Sequence, residues 1–244
     1  MGAQRWFAEC SQVLRRIRDT QLGAIRAAAA AIADCVAGGG ALHYYDTGHC
    51  SREPIHRAGG LLFWRPFSFS LTVDSTAPPK RAADYVLRCH HQQAAAALAL
   101  EQSHLRSGDC LVIVSVSGKT PAPVELALRA KQRGIKVIAI TDLAFSRALA
   151  SDHSTGKRLG EVAHIVIDNC GVYGDAILRF AGLDTPACPT SGVALCYIIW
   201  AITAEVTAEL LSRGLKPHLY RSVNIEGGEE FNARAEAEYR ESGI

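Results

Sequence analysis

Apolar positions along this chain fall into two spacings, and the alternation between them predicts the elements. Residues 4 to 37 carry good helix formers and an alanine run from Ala27 to Ala31, then stop at Gly38-Gly39-Gly40, so they predict a long helix. Ala41 to Tyr45 predicts a short strand that ends in the polar turn Asp46-Thr47-Gly48-His49. A brief helix is expected next, capped by Ser51, with Pro54 in its first turn and Gly59-Gly60 at its end. Residues 61 to 73 are aromatic and β-branched enough for a second strand. Pro78-Pro79 marks a loop, and 82 to 106 reads as helix. Cys110-Leu111-Val112-Ile113-Val114 is an unbroken apolar run, the pattern of a strand covered on both faces. After it come a Ser/Gly loop, a helix from Pro121 to Arg133 ending at Gly134, and a second buried strand from Lys136 to Ile140. That is a β-α-β unit with parallel strands. His164 to Ile167 predicts another strand running into Asp168-Asn169. A long helix over 191–213 and a polar helix over 228–241 complete the chain. This order predicts an α/β fold: a three-layer α/β/α sandwich around a doubly wound, mostly parallel sheet.

Composition narrows the class. At 244 residues, 48% hydrophobic and 20% charged, the chain is expected to form one globular domain over 1–244. The small side chains of the alanine run would admit a second helix, so the N-terminal helix (about 4–37) is the expected subunit contact of a homodimer or homotetramer. A formal net charge of +2 gives no basis for nucleic acid or an anionic membrane as partner. The eight cysteines include no C-x-x-C pair and no zinc-finger spacing to histidine. They read as reduced residues of a cytoplasmic protein, with neither metal nor cofactor expected. The start of the chain lacks the apolar run of a signal peptide. The most apolar stretch, Val193 to Val206, contains Glu205 and is shorter than the roughly 20 residues a span needs, so it predicts a buried helix.

Candidate chemistry gathers where the strands end, because ligands of such sheets sit beyond the carboxyl ends of the strands. Ser115-Val116-Ser117-Gly118-Lys119-Thr120 supplies three hydroxyls, a glycine, a cation and a helix start, with Thr120 placed as N-cap and Pro121 as first helical residue. Exposed amides and the positive helix end favour an anion there. Asp142 follows the next strand and either faces the crevice or caps a helix. Thr190 and Ser191 open the late helix and offer hydroxyls to a ligand or a cap. His90 and His91 point about 100° apart on a helix and read as surface. Trp6, Trp64 and Trp200 read as core or interface residues.

The six-residue loop fits the S-x-S-G-x-T pattern of the SIS (sugar isomerase) domain, and the chain resembles that family over roughly residues 40 to 232. Asp46-Thr47-Gly48-His49-Cys50 stands where family members carry a G-x-G-x-S turn. Arg57-Ala58-Gly59-Gly60, Ser146-Arg147-Ala148, Gly156-Lys157-Arg158-Leu159 and Val166-Ile167-Asp168-Asn169 look like segments of small stand-alone members. The nearest enzymes in kind are the phosphoheptose isomerases and the N-acetylmuramic acid 6-phosphate etherases. The resemblance implies a small anionic sugar, a sugar phosphate above all, bound through Ser115, Ser117, Gly118, Lys119 and Thr120. Thr47, Gly48, Cys50 and Ser51 would contribute from the first turn, and Asp142, Thr190, Ser191 and Asn224 from elsewhere. It departs from the pattern at Asp46 and Cys50, where the family has glycine and serine, and a thiol is a weak donor. The implied reaction is aldose–ketose isomerisation through an enediol, with Glu53 as base and His49 as proton shuttle. The family's isomerases also take a histidine from the late helix. Here that helix has none, and His218 lies just beyond it. A non-catalytic phosphosugar sensor and an amino-sugar phosphate etherase or lyase are the alternatives.

Overall fold

A computed structural model describes residues 1–50, 52–71 and 85–244; for Tyr85 it describes the backbone alone. The elements run α1 (Gly2–Ala37), β1 (Leu42–Asp46), β2 (Trp64–Pro66), α2 (Tyr85–Glu101), β3 (Cys110–Val114), α3 (Pro121–Gln132) and β4 (Lys136–Thr141). They continue with α4 (Leu143–Arg147), α5 (Leu159–Val162), β5 (Ile165–Asp168), β6 (Ala176–Leu178), β7 (Ala187–Pro189), α6 (Ser191–Ser212) and α7 (Gly228–Ser242). Five strands form one sheet in the order β2-β1-β3-β4-β5, every pair parallel. β6 and β7 make a separate antiparallel hairpin.

Alternation of side chains explains why the central strands are apolar throughout. Cys110, Val112 and Val114 of β3 face a core shared with α1 and α6, while Leu111 and Ile113 face a core built with α2, α3 and α5. Ile138 and Ile140 of β4 join the first layer, and Val137 and Ala139 the second. A strand covered on both faces has no position left for a polar residue. Burying a leucine or isoleucine there contributes about 1.5–3 kcal/mol each. The three-layer α/β/α arrangement expected from the sequence is the one observed.

Two expectations change. Residues 52–60 form turns and no helix. His56 is left-handed at φ 54°, and the Gly59 amide donates to the Tyr220 carbonyl across the molecule at 2.8 Å, so no helical ladder can propagate through Pro54. The proposed cap, Ser51, lies outside the described residues. The strand expected over 61–73 is limited to β2, an edge strand ending in Pro66, which has no amide to extend the ladder; Pro78-Pro79 and the start of the 82–106 helix also lie outside the described residues. Within the chain, Ala28, Ala29 and Ala33 are buried in the core shared by α1 and α6, while Ala27 is exposed.

α6 itself is long and apolar enough to cross a membrane, at 22 residues and a mean hydropathy of 1.6. Its Ala194, Leu195, Ile198, Ile199, Ile202 and Val206 are nevertheless buried in the core, at the spacing of one helical face. The expected buried helix is thus buried on one side only, with Val193, Tyr197 and Leu211 exposed.

Candidate functional site

The order β2-β1-β3-β4-β5 reverses direction between β1 and β3, and a crevice opens at such a switch point beyond the carboxyl ends of the strands. A cleft of about 570 Å³ lies there. Thr47 from the turn after β1 and Thr120 from the loop after β3 both line it, with Tyr45, Phe69, Arg88 and His91 among its walls. Tyr45 and Phe69 stack with ring centroids 5.7 Å apart.

The loop after β3 is held by its carbonyls. Val116 O accepts from Thr141 Oγ1 (3.1 Å) and from the Asp142 amide (2.9 Å). Gly118 O accepts from the Leu159 amide (2.8 Å), and Lys119 O from the Asp152 amide (3.0 Å). The backbone amides of Val116, Ser117, Gly118 and Thr120 donate no hydrogen bond among the described residues. The hydroxyls of Ser115 and Ser117 likewise engage no partner among them. Thr120 is the N-cap of α3, as expected, yet its hydroxyl makes no cap bond and is buried without a partner. Buried polar groups are ordinarily satisfied, so the Thr120 hydroxyl stands out among the described residues. Gly118 is required at its position: φ is +60°, and a Cβ would stand 2.8 Å from Thr141 Oγ1 and 3.0 Å from Ser146 Oγ. Lys119 instead pairs with Asp152 at 2.9 Å, anchoring the segment that holds its own carbonyl. That segment is tied in turn to α3. His153 Nδ1 accepts from Thr155, so its Nε2–H donates to Glu125 Oε2 at 2.7 Å. Burial pushes the Glu125 carboxyl up, but bonds from Arg129 and His153 outweigh it and hold the group below the usual glutamate value.

The turn after β1 is arranged oppositely. Asp46 Oδ1 accepts from the amides of Gly48 (2.9 Å) and His49 (3.0 Å), and Oδ2 accepts from the amide of Cys50. Thr47 directs both its amide and its hydroxyl to Val114 O. Cys50 Sγ rests 3.3 Å from Cys196 Sγ, and burial together with that neighbouring thiol pushes the Cys50 thiol up. All eight cysteines are free. Glu53 Oε1 accepts from Trp200 Nε1 (3.1 Å) and pairs with Arg57 (3.2 Å). His49 Nδ1 meets Ser191 Oγ at 3.2 Å.

The remaining candidates divide. Asp142 caps α4 through Oδ1, which accepts from the Phe145 amide, and its buried Oδ2 has no partner among the described residues. Burial pushes its carboxyl up, opposed by the Phe145 amide and aided by the charges of Asp168 and Asp175. Thr190 is the fully buried N-cap of α6 with an unpartnered hydroxyl, and Ser191 opens that helix. Asn224 lines a different, polar cleft with Tyr220, Arg221 and Asn232. His218 is committed to the C-terminal carbonyl of Ile244 and to Glu238, so it stands in for no missing histidine of α6. His90 and His91 are both exposed, but His91 also faces the cleft. Arg88, His91, Gln92 and Ala95 line it at the spacing of one helical face, a pattern readable in the sequence that gave no prior reason to look there. Trp64 is in the core, edge-on to Tyr44, and Trp6 stands edge-on to Phe7.

The SIS domain family model matches residues 5–142, which include most of α1, both turns and the whole β3-α3-β4 unit. The chain belongs to the SIS domain family. Among curated relatives, the UPF0309 protein of Streptomyces griseus is 36% identical over 242 residues, spanning 98% of this chain and 95% of that one. The UPF0309 protein of Listeria innocua is 33% identical over 234 residues, 94% of this chain and 92% of that one. Two solved structures share the fold at low identity. The phosphoheptose isomerase of Neisseria gonorrhoeae aligns at TM-score 0.53 and 16% identity over 84% of this chain and 95% of its own. That of Francisella tularensis aligns at 0.51 and 14% over 84% and 96%. This SIS domain therefore has the fold of the phosphosugar isomerases.

Proposed function

We propose that this SIS domain binds a sugar phosphate with its phosphate seated on the Ser115–Thr120 loop and its sugar in the cleft between β1 and β3. One observation supports the reading: the amides of Val116, Ser117, Gly118 and Thr120 and the hydroxyls of Ser115, Ser117 and Thr120 have no partner among the described residues, although the carbonyls of Val116, Gly118 and Lys119 are bonded. A phosphate offers enough acceptor oxygens to take them, and the start of α3 adds its positive end. In this reading Ser115, Ser117, Gly118 and Thr120 grip the phosphate. Lys119 acts through Asp152 by holding the loop. Tyr45 and Phe69 form an aromatic wall for the carbon chain.

The reaction that follows is aldose–ketose isomerisation. A base removes the proton from the carbon beside the carbonyl. The enediol forms as a proton moves between the two oxygens, and the carbon proton returns to the neighbouring carbon. Glu53, paired with Arg57 and engaged through Oε1 alone among the described residues, is the carboxylate of this reading. His49 moves the proton between oxygens. A binding protein without turnover is the second reading, favoured by the commitment of His218 to Ile244 and Glu238.

A thermal-shift screen over aldose and ketose phosphates tests binding, since a ligand of the native state raises stability as RT ln(1+[L]/Kd). A true ligand shifts the parent and leaves Ser117→Ala unshifted; no shift across the panel sinks the proposal. Incubation of the binder in deuterated water then separates the two readings. Exchange at the carbon beside the carbonyl that disappears in Glu53→Gln supports isomerisation, and binding without exchange selects the second reading.

A further inference from the structure

The hairpin β6–β7 was invisible in the sequence, and the turn leading into it reaches the first turn of the site through a chain of three side chains. Asp175 sits just before β6 in the left-handed region, at φ 67°, a conformation that aspartate and asparagine tolerate better than most residues. Its Oδ1 accepts from the amides of Thr190 (3.2 Å) and Ser191 (2.9 Å), which caps α6. Its Oδ2 accepts from Ser191 Oγ at 2.6 Å. Ser191 is buried, and on its far side Oγ lies 3.2 Å from His49 Nδ1.

Donor and acceptor counting decides where the protons are. An ionised carboxylate only accepts, so the single Ser191 hydroxyl proton lies on the 2.6 Å bond to Asp175. Ser191 Oγ can then only accept from the imidazole. His49 Nδ1 must carry a proton, and in the neutral ring Nε2 is left with its lone pair. Nε2 makes no hydrogen bond among the described residues.

We infer that Asp175, acting through Ser191, is a positioning residue that fixes His49 as its Nδ1–H tautomer and so presents Nε2 as a proton acceptor at the end of β1. Helix capping does not require this link, because the two amides on Oδ1 complete the cap without the hydroxyl. The inference deepens the proposed isomerase reading and rests on it for its catalytic consequence alone; the tautomer itself can be read without any substrate.

The geometry also dictates what the conservative variant does. In Asp175→Asn the capping amides still need an acceptor, so the amide oxygen takes the place of Oδ1 and the NH₂ faces Ser191. Ser191 Oγ then accepts from that NH₂ and turns its own proton to His49 Nδ1. The tautomer inverts to Nε2–H.

Nitrogen-15 correlation spectra of the labelled full chain at a pH of about 8.5, where an ordinary imidazole is neutral, read this directly. A His49→Gln spectrum identifies the His49 signals. The parent should show Nδ1–H, Asp175→Asn should show Nε2–H, Ser191→Ala should lose the Nδ1–H preference, and Ser191→Thr should restore it. Ser191→Ala leaves both capping amides in place, so it keeps the test valid if Asp175→Asn folds poorly. An Nε2–H parent, or the same tautomer in the parent and both disrupting variants, overturns the inference. With a substrate in hand, Asp175→Asn should lower proton exchange by about 10²-fold while KM stays near that of the parent. Correct tautomers with no exchange on any sugar phosphate would sink the isomerase reading and leave the positioning role standing.

Discussion

The turns after β1 and β3 lie side by side, with Asp46 paired in register to Val114, and each joins a parallel strand to the segment that follows it. They use their amides in opposite ways. The first turn carries its own anion: Asp46 takes the amides of Gly48, His49 and Cys50. The second fixes its carbonyls from outside, and the amides of Val116, Ser117, Gly118 and Thr120 donate to nothing among the described residues. An anion site therefore depends less on a glycine and a run of hydroxyls than on whether the chain has already supplied the negative charge. In the proposed reading the switch-point cleft has one anion-accepting side, the loop after β3, and one repelling side, the turn that holds Asp46.

The largest effect should come from closing the accepting side. In Gly118→Ala the new Cβ meets Thr141 Oγ1 at 2.8 Å in a left-handed backbone. The loss of stability is expected at about 2–4 kcal/mol, measured by denaturant unfolding, with no residual thermal shift from a sugar phosphate. A variant as stable and as responsive as the parent would mean the loop geometry is soft.

Next in size is the reversal of the repelling side. Asp46→Gly restores the glycine of the family's turn and leaves three amides without their acceptor. Stability should fall by about 2 kcal/mol. Affinity for a sugar phosphate should rise about threefold to tenfold as the like charge disappears. Calorimetry that showed weaker binding would instead make Asp46 an organiser of the bound state.

The strand, loop and helix start after β3 were readable in the sequence and the role of Asp46 was not, for a physical reason. Cys110–Val114, the Ser/Gly loop and Pro121 are consecutive, so strand, loop and helix start follow from local pattern. The role of Asp46 is local too, but an aspartate in a turn reads the same whether it binds a ligand or its own amides. Asp175 could not be found. It lies in a glycine-rich stretch whose three-residue strands have no periodicity, and its partners Thr190 and Ser191 are 15 and 16 residues away. The helix expected near Pro54 failed because a contact from Tyr220, far along the chain, claims the Gly59 amide. The alanine run marked a helix face that packs closely, and Ala28 and Ala29 are buried in the core that α1 shares with α6.

A smaller effect tests the scaffold behind the accepting side. Glu125 is held below the usual glutamate value in the folded chain, so its contribution to stability is complete above the unfolded value of about 4.3. The contribution is lost as pH falls through the lower folded value. Glu125→Gln should therefore be less stable than the parent by about 1–2 kcal/mol at neutral pH. The gap should narrow below pH of about 4. Melting curves across pH measure it, and a constant gap would show that the glutamate packs rather than pairs. Sugar-phosphate affinity should also weaken, because His153 stiffens the segment that holds Gly118 O and Lys119 O.

The smallest single effect should be Cys50→Ser, which restores the family's serine on the repelling side. The Cys50 amide already belongs to Asp46, and the Asp46 charge opposes any anion the new hydroxyl would meet. Affinity should change by less than about threefold, under 1 kcal/mol. The informative measurement is the double variant Asp46→Gly/Cys50→Ser. With the internal anion gone, the serine hydroxyl and the released amides can act on the same phosphate, so the gain should exceed the sum of the two single variants. Groups that share one partner couple in this way, whereas groups acting separately add. Strict additivity in a calorimetric cycle would mean that the first turn never reaches the phosphate, and that the contrast between the two turns ends at the β3 side.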